Sequence, residues 1–171
     1  ITLIEENVPP VRAGTMLVEV RRSLISTGTE LGGWRAFARR AQHPTPDAAP
    51  RTFGYSNSGI VVEVGEGVSE FGPGDRVACI GAGYALHTDF AVVPHNLCFG
   101  VPDDVPLDQG AYAMLSATAL YALRRGEPEF GEYCAVVGLG LLGQLTARIY
   151  QLAGCFVIGW DAIERRNQIA R

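Results

Sequence analysis

Lysine is absent from the chain, and all fourteen basic residues are arginine. Within these 171 residues this excludes a Schiff-base lysine, a P-loop lysine and a lysine general base. Eighteen acidic residues leave a net charge of -4, so the basic surface typical of a nucleic-acid-binding protein is also missing. We therefore expect no nucleic-acid partner.

Long apolar runs are missing too. Gly, Arg or Asp interrupts each run well before the about 20 residues that a membrane-spanning helix needs. The N-terminal stretch shows no charged flank, apolar segment and small-residue cleavage site in succession. These patterns favour a cytoplasmic protein with no membrane partner.

Cysteine is scarce and widely spaced. Cys79, Cys98, Cys134 and Cys155 form no C-x-x-C pair and no metal-ligand pattern with histidine. We expect four small, mostly buried side chains in a reducing compartment.

Glycine and proline, by contrast, punctuate the first hundred residues. Between the turns they mark, apolar and β-branched segments at 11–22, 58–65, 76–80 and 84–93 are typical of strands. Short strands at this spacing predict a small β-rich, barrel-like domain. The three prolines within residues 41–50 predict a loop. Trp34 and Phe37, three positions apart before this loop, are expected to pack on one face of a helix.

The pattern changes after residue 106. Residues 107–125 predict one helix of about five turns with Asp108 as N-cap and Arg124-Arg125 at its C-terminal end. Next come a strand at 133–137 suited to burial on both faces, a helix at 141–153 capped by Gly154, a strand at 155–160 and a helix from 162. This order predicts a βαβ unit, and so an α/β region after the β domain.

A G-x-G-x-x-G motif lies between the first strand and the first helix of this unit. It comprises Gly138, Leu139, Gly140, Leu141, Leu142 and Gly143, and Asp161 follows it by eighteen residues at the end of the next strand. Gly138 permits the tight turn, Gly140 lets a pyrophosphate approach the backbone, and Gly143 lets helix and strand pack closely. The motif in this setting predicts dinucleotide binding.

The cofactor's identity depends on Asp161 and the arginines that follow it. A carboxylate here would accept hydrogen bonds from the ribose hydroxyls and repel a 2′-phosphate, which favours NAD over NADP. Arg165 and Arg166 leave NADP open, because an arginine just past this strand can hold a 2′-phosphate.

Together with this turn, several linked motifs make the chain resemble the medium-chain dehydrogenase/reductase superfamily, the zinc alcohol dehydrogenase-like proteins. They are STGTE at 26–30, GYSNSG at 54–59, IVVEVG at 60–65, GPGDRV at 72–77 and ATA at 117–119. The resemblance implies a GroES-like β-barrel with the substrate site at 1–106, a connecting helix at 107–126 and the start of a doubly wound Rossmann domain at 127–171. It also implies Thr118 as a cofactor contact, a small-molecule substrate, and a dimer or tetramer of the full-length protein.

The chain departs from this family at the catalytic zinc. The places of the three ligands hold Thr27 or Ser26, Tyr55 with Ser56, and Met114, none of which is a good Zn²⁺ ligand. We therefore expect no zinc. The segment SLISTGTEL at 23–31 is most similar to a zinc-lacking subgroup that includes bacteriochlorophyllide 2-desacetyl-2-hydroxyethyl dehydrogenase-like proteins.

Without a metal, another group must polarise or protonate the substrate oxygen, and hydroxyl side chains are the candidates. Tyr55 is the candidate acid, because a phenol can donate a proton to a developing alkoxide. The alternative is that Tyr55 is simply an aromatic wall of the cleft. Thr29 falls where the family keeps a proton-relay hydroxyl, and Ser26 could add a hydrogen bond. His87 fits a surface histidine in a strand better than a base.

Three functions remain open. The leading one is NAD(P)-dependent hydride transfer between nicotinamide and an alcohol or carbonyl substrate. The second is a zinc-free NADPH quinone or enone reductase, and the third a dinucleotide-binding module without turnover. A doubly wound fold has two βαβαβ halves. The chain stops within the first, so we expect it to be part of a longer protein.

Overall fold

The structure is a computed structural model that describes residues 3–32 and 52–171. The predicted loop at 41–50 and the Trp34–Phe37 pair lie outside these residues. Contacts divide the chain into two compact units, residues 1–113 and 114–171. In the described part of the chain, no helix has both the length and the apolar character to cross a membrane.

The first unit is built on one antiparallel sheet of five strands. They are β1 (Thr15–Ser23), β2 (Ser56–Val64), β3 (Arg76–Ile80), β4 (Phe90–Pro94) and β5 (Cys98–Gly100), with a 3₁₀ turn at His95–Leu97. The strand order is β4-β1-β2-β3-β5. The predicted strands at 11–22, 58–65 and 76–80 are confirmed within about four residues at their ends.

Alternating apolar side chains on these strands form a single core. In β1, Met16 and Val18 are fully buried and Val20 packs against the same core, while Leu17 and Glu19 between them are less buried, as a half-exposed strand requires. The core consists of Met16, Val18, Val61, Val77, Cys79, Ala85, Ala91, Val93 and Cys98.

The predicted strand at 84–93 is wrong in its first half. Gly81 and Gly83 have φ of 115° and 83°, and the Tyr84 and Ala85 N–H groups both donate to the Gly81 carbonyl. These bonds close a turn, so β4 begins only at Phe90.

The single helix predicted at 107–125 is wrong as well, because the structure has two helices. They are α1 (Leu107–Gly110) and α2 (Ala113–Gly126). Hydroxyl groups of β2 bind carbonyls at both ends of α1: Ser58 donates to Leu107 O at its start, and Ser56 donates to Ala111 O at the break, at 2.7 Å. Asp108 is not the N-cap, which is Pro106.

The second unit contains the predicted βαβ arrangement. After α2 come β6 (Tyr133–Val137), α3 (Leu141–Leu152), β7 (Phe156–Trp160) and α4 (Glu164–Ala170). The two strands are parallel, with Tyr133 opposite Phe156. Gly154, at φ 87°, follows the end of α3 in the left-handed conformation that favours glycine.

One expectation for β6 is wrong: it is not buried on both faces. Tyr133 and Val137 are 75% and 77% exposed, and the apolar side chains opposite them on β7 are also exposed. The described elements that touch these strands, chiefly α3, leave the Tyr133 side of the sheet uncovered.

Candidate functional site

The glycine turn joins β6 to α3. Gly138 has a φ of 96°, a conformation that L side chains rarely adopt, and its N–H donates to Trp160 O at the end of β7 at 2.7 Å. A Cβ on Gly143 would lie 1.8 Å from the Gly138 carbonyl oxygen, whereas a Cβ on Gly140 would meet no atom within 4 Å. Gly143 is thus needed for internal packing, and Gly140 borders open space.

The backbone at the start of α3 can hold an anion. The first α-helical hydrogen bond runs from Gln144 N–H to Gly140 O at 2.9 Å. The N–H groups at the start of a helix have no acceptor within it, and the helix dipole adds partial positive charge there. Together with the open space beside Gly140, these groups suit a pyrophosphate, so the residues present fit a dinucleotide cofactor.

Asp161 lies just beyond β7 and is bound to the turn. The Leu139 N–H donates to its Oδ2 at 2.8 Å, and the Ile163 N–H donates to its Oδ1 at 2.8 Å. The side chain is buried, as is that of Leu139. The Ile163 hydrogen bond, aided by the Leu139 bond and the Arg166 guanidinium, lowers the pKa of Asp161 against the opposing effect of burial. Asp161 is therefore a carboxylate at neutral pH.

Arg166 pairs with this carboxylate. Its Nη1 lies 3.2 Å from Asp161 Oδ2, and its side chain is about half exposed. A carboxylate offers about four lone-pair positions, and the Leu139, Ile163 and Arg166 contacts use three of them. The remaining capacity permits a further hydroxyl donor at Asp161.

Two uncharged residues that the sequence did not single out complete this cluster. Asn167 accepts a hydrogen bond from Asp161 N–H and donates one to Asp161 O, both at 2.8 Å. Gln144 Nε2 donates to Leu139 O at 3.2 Å and to Arg166 O at 3.0 Å. Only the position of Gln144, directly after the last motif glycine, could have drawn attention to either of them.

The other predicted cofactor residues make no hydrogen bond to Asp161 in the described part of the chain. Leu141 is half-buried and Leu142 is exposed in the first turn of α3. Thr118 is exposed on α2, where its hydroxyl donates to Met114 O at 3.0 Å. Neither the N–H groups of the two leucines nor the Thr118 hydroxyl binds Asp161 within the described residues.

The candidate catalytic residues of the first unit lie on two adjoining segments. Leu24 N–H donates to Ser56 O at 3.0 Å, which places the segment after β1 beside the start of β2. Ser26 is buried and its Oγ lies 3.4 Å from Thr29 N, while Thr29 itself is exposed. Tyr55 is half-buried. These segments hold all three predicted catalytic residues.

A buried acid stabilises the Ser26–Thr29 turn. Glu30 Oε2 accepts a hydrogen bond from Ser26 N–H at 2.6 Å, and Glu30 Oε1 lies 3.0 Å from His87 Nε2. The side chains of Glu30 and His87 are 8% and 24% exposed. His87 is therefore neither in a strand nor a free surface residue, because it is half-buried against an acid that is distant in sequence.

The places that match zinc ligands hold poor donors for Zn²⁺. Ser56 is buried with its hydroxyl donated to a main-chain carbonyl, and Met114 offers only a thioether. Among residues 3–32 and 52–171 there is no group of three or more His, Cys, Asp or Glu side chains placed to hold a metal. The side chains at the matching places are therefore not the thiolate, imidazole or carboxylate ligands that Zn²⁺ prefers.

Comparison with known proteins relates this chain to alcohol-type dehydrogenases. It is 34% identical over 136 residues to (R,R)-butanediol dehydrogenase of Bacillus subtilis, covering 66% of this chain and 39% of that protein. It is 32% identical over 136 residues to quinone oxidoreductase of Rattus norvegicus, covering 78% and 41%.

The fold is shared with solved structures of the same group. The crystal structure of 2R,3R-butanediol dehydrogenase from Bacillus subtilis is similar with a TM-score of 0.77 and 28% identity, over 99% of this chain and 56% of that one. The chain thus spans about half the length of the relatives it matches, or less. The Alcohol dehydrogenase GroES-like domain family matches residues 12–113. The chain belongs to this family, within the medium-chain dehydrogenase/reductase superfamily, as a GroES-like domain followed by the start of a Rossmann fold.

Proposed function

We propose that the complete protein is an NAD(P)-dependent oxidoreductase that transfers a hydride between nicotinamide and an alcohol or carbonyl substrate without catalytic zinc. The observation that carries the proposal is the open backbone at Gly140 beside the buried Asp161 carboxylate. The butanediol dehydrogenase and quinone oxidoreductase relatives support the reaction class.

The residues of this chain have separate roles in that reaction. The bound nicotinamide cofactor supplies the hydride acceptor or donor. Residues 138–143 and the start of α3 bind its pyrophosphate, and Asp161 orients its adenosine ribose. Tyr55 exchanges a proton with the substrate oxygen, while Thr29 and Ser26 hydrogen-bond near it.

We propose NAD rather than NADP as the preferred cofactor, because the Asp161 carboxylate is charged and cannot accept a 2′-phosphate without repulsion. Dissociation constants of NADH and NADPH, measured by fluorescence titration of the complete protein, test this. We expect tighter NADH binding, and an Arg166→Ala variant should weaken NADPH further. Tighter NADPH binding would overturn the preference.

Zinc independence has its own test. The complete protein, produced with added zinc and dialysed, should retain far less than one equivalent per chain and keep its turnover after chelation. One tightly bound equivalent whose removal abolishes turnover would contradict the proposal.

A zinc-free NADPH quinone reductase is the second candidate, favoured by the rat quinone oxidoreductase relative and by Arg166 beside Asp161. Turnover assays distinguish the two functions. One arm tests vicinal diols, polyols and simple alcohols with NAD, and the other tests quinones and enones with NADPH. Cofactor binding with no turnover on either arm would instead indicate a dinucleotide-binding module.

We propose further that the complete protein is a cytoplasmic homo-oligomer. All four cysteines are free thiols, as a reducing compartment would leave them. Light scattering of the complete protein should give the mass of a dimer or tetramer. A monomer at micromolar concentration would refute the oligomer.

A further inference from the structure

Asp161 and Arg166 share one short segment, and their charges are already paired with each other at 3.2 Å. Either group could meet the 2′ position of an adenosine ribose, the carboxylate favouring a hydroxyl and the guanidinium a phosphate. Because the segment carries both charges, its composition does not determine which of the two side chains faces the 2′ position. The position of the backbone determines this.

Two amide side chains hold that backbone. Asn167 engages both the N–H and the carbonyl of Asp161, which fixes the peptide groups on either side of its carboxylate. Gln144 uses its Nε2 to bridge Leu139 O in the glycine turn and Arg166 O at the start of α4.

These bonds form a closed ring with the charged pair. Leu139 donates its N–H to Asp161 and gives its carbonyl to Gln144, which in turn holds the carbonyl of Arg166. The Arg166 side chain then returns to Asp161. A ring of this kind has little freedom to rotate one charged group away from the other.

We propose that Gln144 and Asn167 are positioning residues that set the discrimination between NAD and NADP. They keep the Asp161 carboxylate toward the ribose and Arg166 bound to it. This inference rests on the proposed function, because it assumes that a nicotinamide dinucleotide occupies the glycine turn.

The test compares Gln144→Leu with Gln151→Leu in the complete protein. Both substitutions lie on α3, and Gln151 is exposed and away from the glycine turn, so it is the matched control. Leucine is similar in size to glutamine but cannot make either of the two hydrogen bonds that Gln144 donates. We expect Gln144→Leu to weaken NADH binding about tenfold and NADPH binding much less, so that the ratio of their dissociation constants changes at least threefold. Gln151→Leu should leave the ratio unchanged.

Asn167→Leu provides a second variant, which is similar in size, adds no charge and removes both bonds to the Asp161 backbone. We expect the ratio of the two dissociation constants to change in the same direction as in Gln144→Leu.

The outcomes separate the two proposals. If the wild-type protein binds neither NADH nor NADPH, the proposed function fails. If the wild type binds them but both variants weaken NADH and NADPH by the same factor, or by none, then Gln144 and Asn167 only stabilise the fold and the positioning role is wrong.

Discussion

Asp161 shows how one carboxylate can serve both the fold and a ligand. Its contacts with Leu139 and Ile163 lie within the protein, and they bind the glycine turn to the end of β7. The charged form makes these contacts, so its lowered pKa connects stability to pH.

We therefore expect Asp161→Asn to destabilise the second unit at neutral pH. The contribution of Asp161 is fully present above the pKa of an unfolded aspartate, about 3.9. It is lost as the pH falls through the lower pKa of the folded protein. The difference between wild type and Asp161→Asn in urea midpoint should accordingly shrink from pH 7 to pH 3. The exposed Asp104→Asn is the control, and a difference independent of pH would contradict the expectation.

Tyr55 is the residue whose role in turnover is most directly tested. Replacing it with Phe keeps the ring and removes only the hydroxyl. If the phenol is the acid, kcat should fall at least tenfold with little change in cofactor affinity. An unchanged kcat would make Tyr55 an aromatic wall of the cleft.

In the segment that runs from β6 through the turn to α3, one glycine is needed for internal packing and another leaves space for a ligand. Both lie in the same motif, yet a Cβ has no space at Gly143 and ample space at Gly140. The φ of Gly140 is -67°, which alanine adopts readily.

We expect Gly140→Ala to fold normally and to weaken cofactor binding at least tenfold, since its methyl group would fill the space offered to the pyrophosphate. Gly143→Ala should lower the thermal midpoint itself, by about 4 °C or more, because the Cβ would collide with the Gly138 carbonyl. Circular-dichroism melts and NADH titrations of both variants check this. Equal thermal loss in the two variants would refute the distinction.

The Glu30–His87 contact joins the segment after β1 to the segment before β4. Removing Glu30 leaves the Ser26 N–H and the His87 ring without their acceptor. We expect Glu30→Ala to cost about 1–3 kcal/mol in urea unfolding. Glu19→Ala, which breaks only an exposed pair with Arg21, should cost no more than about 0.5 kcal/mol. If the two substitutions lower the free energy of unfolding by similar amounts, the burial of Glu30 does not add to stability.

At the scale of the whole molecule, the chain divides between a unit with a complete core and a unit with an uncovered sheet face. The first unit closes its core with residues from β1 to β5. In the second, Tyr133 and Phe156 stack at 5.0 Å on an exposed face that also carries Ile158 and Trp160. We propose domains at 1–106 and 127–171 with residues 107–126 between them, although contacts place the division at residue 113.

We expect residues 1–113 to fold alone, because the described side chains of the core, from Met16 to Cys98, all belong to them. A protein of these residues should show a β-rich circular-dichroism spectrum and one cooperative urea transition. Residues 114–171 alone should self-associate through the exposed face of β6 and β7. A non-cooperative transition for residues 1–113 would count against their independence.

Elements whose formation depends on neighbouring residues can be predicted from the sequence. Strand alternation, the glycine and proline turns, the βαβ order and the family motifs all depend on local spacing, so β3 and β6 were predicted to the residue. The glycine motif likewise indicates, from its local spacing, that the start of α3 is the candidate cofactor site.

Contacts between residues that are distant in the sequence depend on how the folded chain packs. Glu30 and His87 are 57 positions apart, and Leu139 and Asp161 are 22 apart. The same holds for the break between α1 and α2, where the Ser56 hydroxyl of β2 binds the Ala111 carbonyl. Hydrogen bonds of this kind depend on how strands and helices are packed in space, and no local periodicity encodes them. The partners of Asp161, and so the roles of Gln144 and Asn167, could be found only in the folded molecule.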